Sequence, residues 1–250
     1  MGTPTEKATT AQQLPSVWTR PQRARRETPA LSRDQIVNEA IALLDQEGFE
    51  ALSMRKLGAR LDAGATSLYT HVANKDELLE LVVDQAMGEA RIPDAIENGD
   101  WRATVLLLSR EIRATILRHP WIAVVLSSAG LALLGPNMMR VTESMLAIFE
   151  EAGFDDDTTD LGADAIFAFV VGTTSGEAAT MTTIARSGLE EKEWIRRLLD
   201  ATTAVSEPYP RTYRRAVEHR DRDHARLRED TFEREVGLIM DGMEAQRRRR

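Results

Sequence analysis

The chain has 250 residues, 42% hydrophobic and 29% charged, with a formal net charge of −8 and no cysteine. Enough apolar side chains are present for a buried core, and low aromatic content beside abundant Ala, Leu, Arg and Glu favours an all-helical protein. Disulfide and thiolate chemistry are excluded. So is a protein that coats nucleic acid over its whole surface, although a local basic contact face is not.

Residues 1–30 are rich in Thr, Pro, Gln and Arg and lack an apolar core segment, so no signal peptide is expected. They read as a disordered basic arm. Arg20-Pro-Gln-Arg-Ala-Arg-Arg26 is either a solvated tail or a strand laid along a DNA minor groove. Ser32-Arg-Asp-Gln35 then forms a capping box, with Leu31 and Ile36 as a hydrophobic staple. Ile36, Val37, Ala40, Ile41 and Leu44 make the buried stripe of a first helix, which Gly48 stops.

Ser53 caps a second helix, on which Met54, Leu57 and Leu61 share one face. Asp62-Ala-Gly64 is a turn, and Ala65 to Val72 a short third helix that could not stand alone. Its inward face is Leu68 and Val72. Its outward face is Thr66, Ser67, Tyr69, Thr70 and His71, small or polar groups suited to a DNA major groove. Asn74 caps a fourth helix, with Glu77 at its third position. Leu78, Leu79, Leu81, Val82 and Val83 make that helix apolar on more than one face, so it can join two domains, and the boundary is drawn across it near residue 80.

Further on, Asp100 caps a helix that His119-Pro120 ends. Trp121 to Leu134 is a short apolar helix and loop, and Gly135-Pro136 restarts the chain with proline at the first helical position. The longest helix runs from about Thr158 to Arg186, with small residues from Gly172 to Ala179 that suit a close approach by another helix or a ligand. Leu189 to Val205 is helical, and Arg214 to Arg228 reads as an exposed charged loop or frayed helix. A last helix spans about Asp230 to Ala245, and Arg247–Arg250 is a basic tail. The apolar runs Ile122–Leu134 and Ile166–Val171 are too short to span a membrane, so no membrane partner is expected.

Over residues 32–83 the chain resembles the tetracycline-repressor (TetR) family of bacterial transcription regulators. The residues that carry the likeness are Ile36-Val37, Ala40, Leu44, Glu47-Gly48, Leu52-Ser53-Met54-Arg55-Lys56-Leu57, Leu61, Ser67-Leu68-Tyr69-Thr70-His71-Val72 and Asn74-Lys75-Asp76-Glu77-Leu78-Leu79. Over about 100–180, Arg118-His119-Pro120-Trp121, Leu134-Gly135-Pro136-Asn137, Glu151-Ala-Gly153-Phe154 and Phe169-Val-Val-Gly172 resemble the all-helical ligand-binding domain of the tetracycline-repressor type. The resemblance implies an all-α fold: a helix-turn-helix DNA-binding domain over 31–80 and an effector-binding and dimerisation domain over 81–246, between the arm (1–30) and the tail (247–250). It implies a cytoplasmic homodimer that binds a palindromic operator as a repressor and leaves it when a small-molecule effector binds, with the long eighth helix and the last helix forming the dimer interface.

The same resemblance puts Ala65, Thr66, Ser67, Thr70 and His71 in the groove and Tyr69 and Lys75 on phosphates. Lys75 also sits at a helix N-terminus, where backbone N–H groups attract phosphate. Arg55, at the start of the second helix, can reach a guanine edge or a phosphate, and Lys56 lies on the same flank. Packing is the competing role for Tyr69 and His71, and a surface ion pair for Arg55. The reading helix lacks Arg, Lys, Asn and Gln, so Arg55, DNA shape and the arm are expected to carry much of the specificity. His119, Trp121, Met138, Thr173, Thr174, Glu177 and Met181 are candidates for lining the effector pocket, and core packing explains each equally well. His119 matches a metal-ligand position of tetracycline-binding members, but a helix-ending histidine is the simpler reading, and no metal or cofactor is expected. No phosphate loop, nucleophile elbow or zinc spacing supports an enzyme.

Overall fold

The computed structural model describes residues 31–93, 99–127, 135–220 and 222–248. The basic arm, the loop after Ser127 and the last two arginines of the tail lie outside them, as does the side chain of Ala65. The described residues form α1 (Arg33–Glu47), a 3-10 turn (Phe49–Ala51), α2 (Met54–Arg60), α3 (Ala65–Tyr69), α4 (Lys75–Met87), α5 (Trp101–Arg118), α6 (Trp121–Ser127), α7 (Pro136–Glu151), α8 (Asp156–Ser187), α9 (Glu191–Val205), α10 (Pro210–His219) and α11 (His224–Arg247).

The helix starts follow their local chemistry. Ser32 and Gln35 form the full capping box, each side chain bonded to the other's backbone. Ser53, Asn74, Asp100 and Asp155 cap α2, α4, α5 and α8 through their side chains. The start of α7 is different. Gly135 offers no side chain, and the orphan N–H groups of Asn137 and Met138 donate at 2.9 and 3.0 Å to Oδ1 of Asp84, a buried residue of α4. The side chain of Asn137 donates to the other oxygen at 3.1 Å. A Cβ on Gly135 would lie well inside contact distance of that carboxyl, so the glycine makes room for a cap supplied by another helix.

Helices α1 to α4 close a small head around Ile36, Leu43, Leu57, Leu68, Val72 and Leu78. Helix α4 continues into the larger body and packs on α7. There α5 and α8 form the central pair, flanked by α6, α7 and α11. Trp101, Phe149 and Phe154 meet edge to face at one end, with centroids 5.0–6.0 Å apart.

Two expectations are corrected. The stretch Arg214 to Arg228 is not a frayed charged loop: its first part belongs to α10, and α11 begins at His224, before Asp230. Proline at the start of α10 and the burial of Ala216 explain the helix. Its charges have partners: Arg220 bonds Asp200 of α9, and Arg228 pairs with Glu191 at 2.6 Å. The Arg220 bond pulls the Asp200 carboxyl below the usual carboxylate range, and bonds from Arg197 and Arg196 do the same to Glu193.

Candidate nucleic-acid interface and C-terminal cavity

Helices α2, α3 and α4 hold the candidate reading surface. The turn between α2 and α3 places Asp62, not Gly64, in the left-handed region (φ 48°), a conformation aspartate tolerates better than most side chains. Ala63 N–H donates back to the Gly58 carbonyl at 2.9 Å and closes the end of α2. Leu68 and Val72 are fully buried, which anchors the five-residue α3 and leaves Thr66, Ser67, Tyr69 and Thr70 exposed on the other side. His71 is half-buried at its end. The Thr70 hydroxyl donates to the Ser67 carbonyl at 2.6 Å.

Basic groups flank this face. Arg55 is exposed on the first turn of α2. Lys56 forms an ion pair with Glu47 of α1. Lys75 lies on the first turn of α4, its ammonium 4.7 Å from the centre of the Phe49 ring. The site therefore carries a centre of hydroxyls, a phenol and an imidazole, with cations at its edges. Such a surface suits a polyanion whose bases are touched by small groups and whose phosphates are met at the rim.

The pocket candidates separate into two groups. Thr173, Glu177 and Met181 line a cleft of about 640 Å³ between α8, α9, α10 and α11. Ile184, Trp194, Ile195 and Leu227 give it apolar walls, and His219, His224 and Arg228 add polar groups. The Nε2 atom of His224 is buried without a hydrogen-bond partner among the described residues. His119, Trp121, Met138 and Thr174 do not line this cleft. Met138 and Thr174 are buried in the core.

Glu177 is also committed elsewhere. It takes two hydrogen bonds at 2.9 Å from Arg113 of α5, whose third bond goes to Glu229 of α11 at 2.6 Å. The guanidinium lies over the Phe232 ring at 4.9 Å. Burial alone would lower the Arg113 pKa, but its hydrogen bonds to Glu177 and Glu229 and their charges outweigh that and raise it. Sequence reading missed Arg113. The available signal was a charged residue beside the apolar stripe of Ile112 and Ile116.

His119 and Trp121 face the head. His119 Nδ1 lies 2.8 Å from Oδ1 of Asp45 in α1, and the Trp121 indole donates to the same oxygen at 2.7 Å. On the opposite edge of the ring, Nε2 lies 3.3 Å from both carboxylate oxygens of Glu89, just after α4. Carboxylates on opposite edges clamp an imidazole; they do not converge on an ion. Among the described residues no group of three or more His, Asp or Glu side chains could hold a metal. No helix among them is long and apolar enough to cross a membrane.

Two family models match the chain: "Bacterial regulatory proteins, tetR family" over residues 36–82 and "Tetracyclin repressor-like, C-terminal domain" over residues 92–247. An HTH-type transcriptional regulator of Saccharopolyspora erythraea is 40% identical over 174 residues, 69% of this chain and 72% of the relative. The HTH-type transcriptional repressor DrrR1 of Streptomyces coeruleorubidus is 34% identical over 168 residues, 67% of this chain and 62% of its own. Among solved structures, the Streptomyces coelicolor TetR family protein ActR with bound (S)-DNPA superposes with a TM-score of 0.68 at 30% identity, covering 86% of this chain and 98% of ActR. ActR with bound actinorhodin gives 0.71 at 29% identity, covering 86% and 98%.

Proposed function

Because the chain belongs to the TetR family of bacterial transcription regulators, we propose that it is a cytoplasmic repressor that grips a palindromic operator as a homodimer and releases it when a small organic molecule occupies the cleft between α8 and α11. The observation that carries the reading is the surface of α3. Its apolar side is spent on the head core, and its exposed side presents Thr66, Ser67, Tyr69 and Thr70 between the flanking cations. In this reading Thr66, Ser67, Thr70 and His71 touch base edges, Ala65 packs on thymine methyls, and Tyr69 and Lys75 hold phosphates. Arg55 reads a guanine or a phosphate, and Lys56 must exchange Glu47 for the backbone.

Dimerisation through α8 and α11 is supported by what those helices leave uncovered. Leu161, Ala165, Ala168, Gly172 and Ala179 form an exposed stripe on α8, and Arg234, Leu238, Gly242 and Ala245 one on α11. A Cβ at Gly172 or Gly176 would meet nothing within 4 Å, so packing within the chain does not call for these glycines, whereas a second helix pair closing on them would. The effector reading rests on the cleft's apolar walls and few polar groups, and on ActR, a similar protein solved with (S)-DNPA and with actinorhodin.

Selection of genomic fragments on the purified protein, followed by fluorescence anisotropy with the enriched duplex, tests the proposal. A two-fold symmetric site with half-sites about one helical turn or slightly more apart, and affinity that falls steeply with salt, is expected. Failure to enrich any site would overturn it.

A further inference from the structure

We propose that His119, held between Asp45 and Glu89, is a proton-dependent positioning residue that fixes the reading head on the C-terminal body. The proposal rests on the operator-binding reading above and adds to it which residues set the head's angle.

The clamp joins segments that lie far apart in the chain. Asp45 belongs to α1 of the head, Glu89 follows α4, His119 ends α5 and Trp121 begins α6. Asp45 is thus tied to the body by two donors, the His119 ring and the Trp121 indole, at 2.8 and 2.7 Å. The His119 side chain is only 7% exposed. Its other nitrogen faces both oxygens of Glu89 at 3.3 Å, and Arg118 of α5 holds Glu89 from the solvent side. Asp45, Glu89 and Arg118 are the charged groups that meet this ring and its partners.

The chemistry of imidazole makes this arrangement depend on one proton. A neutral ring has one N–H and one lone pair, whereas a charged ring donates from both nitrogens. Ionised carboxylates only accept. With the N–H at Nδ1, the neutral ring bonds Asp45 and turns a lone pair toward Glu89, so that edge repels. A proton taken from solvent onto Nε2 turns repulsion into a charge-assisted bond and ties the end of α4 to α1 and α5. No other bond forms or breaks. The ring therefore bonds both acids only in its charged form, and the clamp is complete only when that proton is present.

The natural chain has no cysteine, so labels go only where they are placed. Cysteines at Glu50 in the head and Glu143 in the body, both exposed, would carry two spin labels. The labelled chain is diluted into unlabelled protein so that only distances within one chain are read. From about pH 8 to about pH 5.5, the range in which histidines generally titrate, the distance distribution should narrow. Glu89→Gln keeps the size of the side chain but removes its charge and should abolish the narrowing, as should His119→Gln. In parallel, the ratio of operator affinities of the parent and Glu89→Gln should change by about threefold over the same range, the scale of a half-exposed ion pair. Taking the ratio removes the contribution of His71 at the DNA face. A distribution independent of pH in the parent, or one that narrows equally in Glu89→Gln, would overturn the clamp. A parent that binds no operator at any pH, while its distances still respond, would instead overturn the operator reading.

Discussion

At the scale of single residues, the side chains that matter most are those with no freedom to be replaced. Gly135 leaves space for the Asp84 carboxylate, so Gly135→Ala should force that carboxylate off the α7 N-terminus. The expected loss is about 1–3 kcal/mol, the usual cost of overfilling a packed site. Thermal unfolding would report it, and an unchanged midpoint would show that α7 has another cap. Arg113 and Glu177 form a largely buried pair, their side chains 11% and 12% exposed. Removing Arg113 leaves the buried Glu177 carboxylate with only the longer contact to Arg228 at 3.4 Å, so Arg113→Met should destabilise toward the lower end of roughly 3–5 kcal/mol. Arg113→Met with Glu177→Met should recover much of that loss, because replacing both charges removes the desolvation penalty as well as the attraction. At the DNA face, Arg55→Ala should flatten base preference at one position of the half-site. Lys75→Ala should weaken binding to all sequences alike and reduce the salt dependence; quantitative footprinting separates the two.

At the scale of elements, α9 and α10 pack as a hairpin, and Arg220 bonds Asp200 across it. The folded-state pKa of Asp200 is depressed, as is that of Glu193 on α9. Their contribution is present above the ordinary carboxylate pKa and is lost as pH falls through the lower, folded value. Hydrogen exchange in α9 and α10 should therefore quicken in acid relative to α5 and α8, and Asp200→Asn should remove part of that pH dependence. Most elements were legible in the sequence for local reasons: Ser32, Ser53, Asn74 and Asp100 cap the helices that follow them. The α10 hairpin was not, because Arg214 to Arg228 has almost no apolar signal, and both the burial of Ala216 and the ion pairs to Asp200 and Glu191 depend on residues far along the chain. The same limit applies to Asp45 and Glu89. Nothing adjacent in sequence marks either acid as a partner of His119, 74 and 30 residues away. Asp84 did leave a trace, a charge within the apolar run from Leu81 to Met87.

At the scale of the whole molecule, the uncovered stripes on α8 and α11 predict that Leu238→Glu should give a monomer by sedimentation and cost most of the operator affinity. A variant that stays dimeric would place the interface elsewhere. The unusual α7 cap has a practical consequence for anyone who recombines such regulators. A graft that exchanges the reading domain at residue 80 severs α4 between the head core and Asp84. The recipient body keeps Asp84 only if the new α4 enters in the same register, and a shift of one residue turns the carboxylate about 100° away from α7. Hybrids cut ahead of Asn74 would keep Asp84 and the α7 N-terminus it caps in one parental piece. They should express and melt like their parents, whereas junctions inside α4 should give bodies that fold loosely even when every residue of the effector cleft is native.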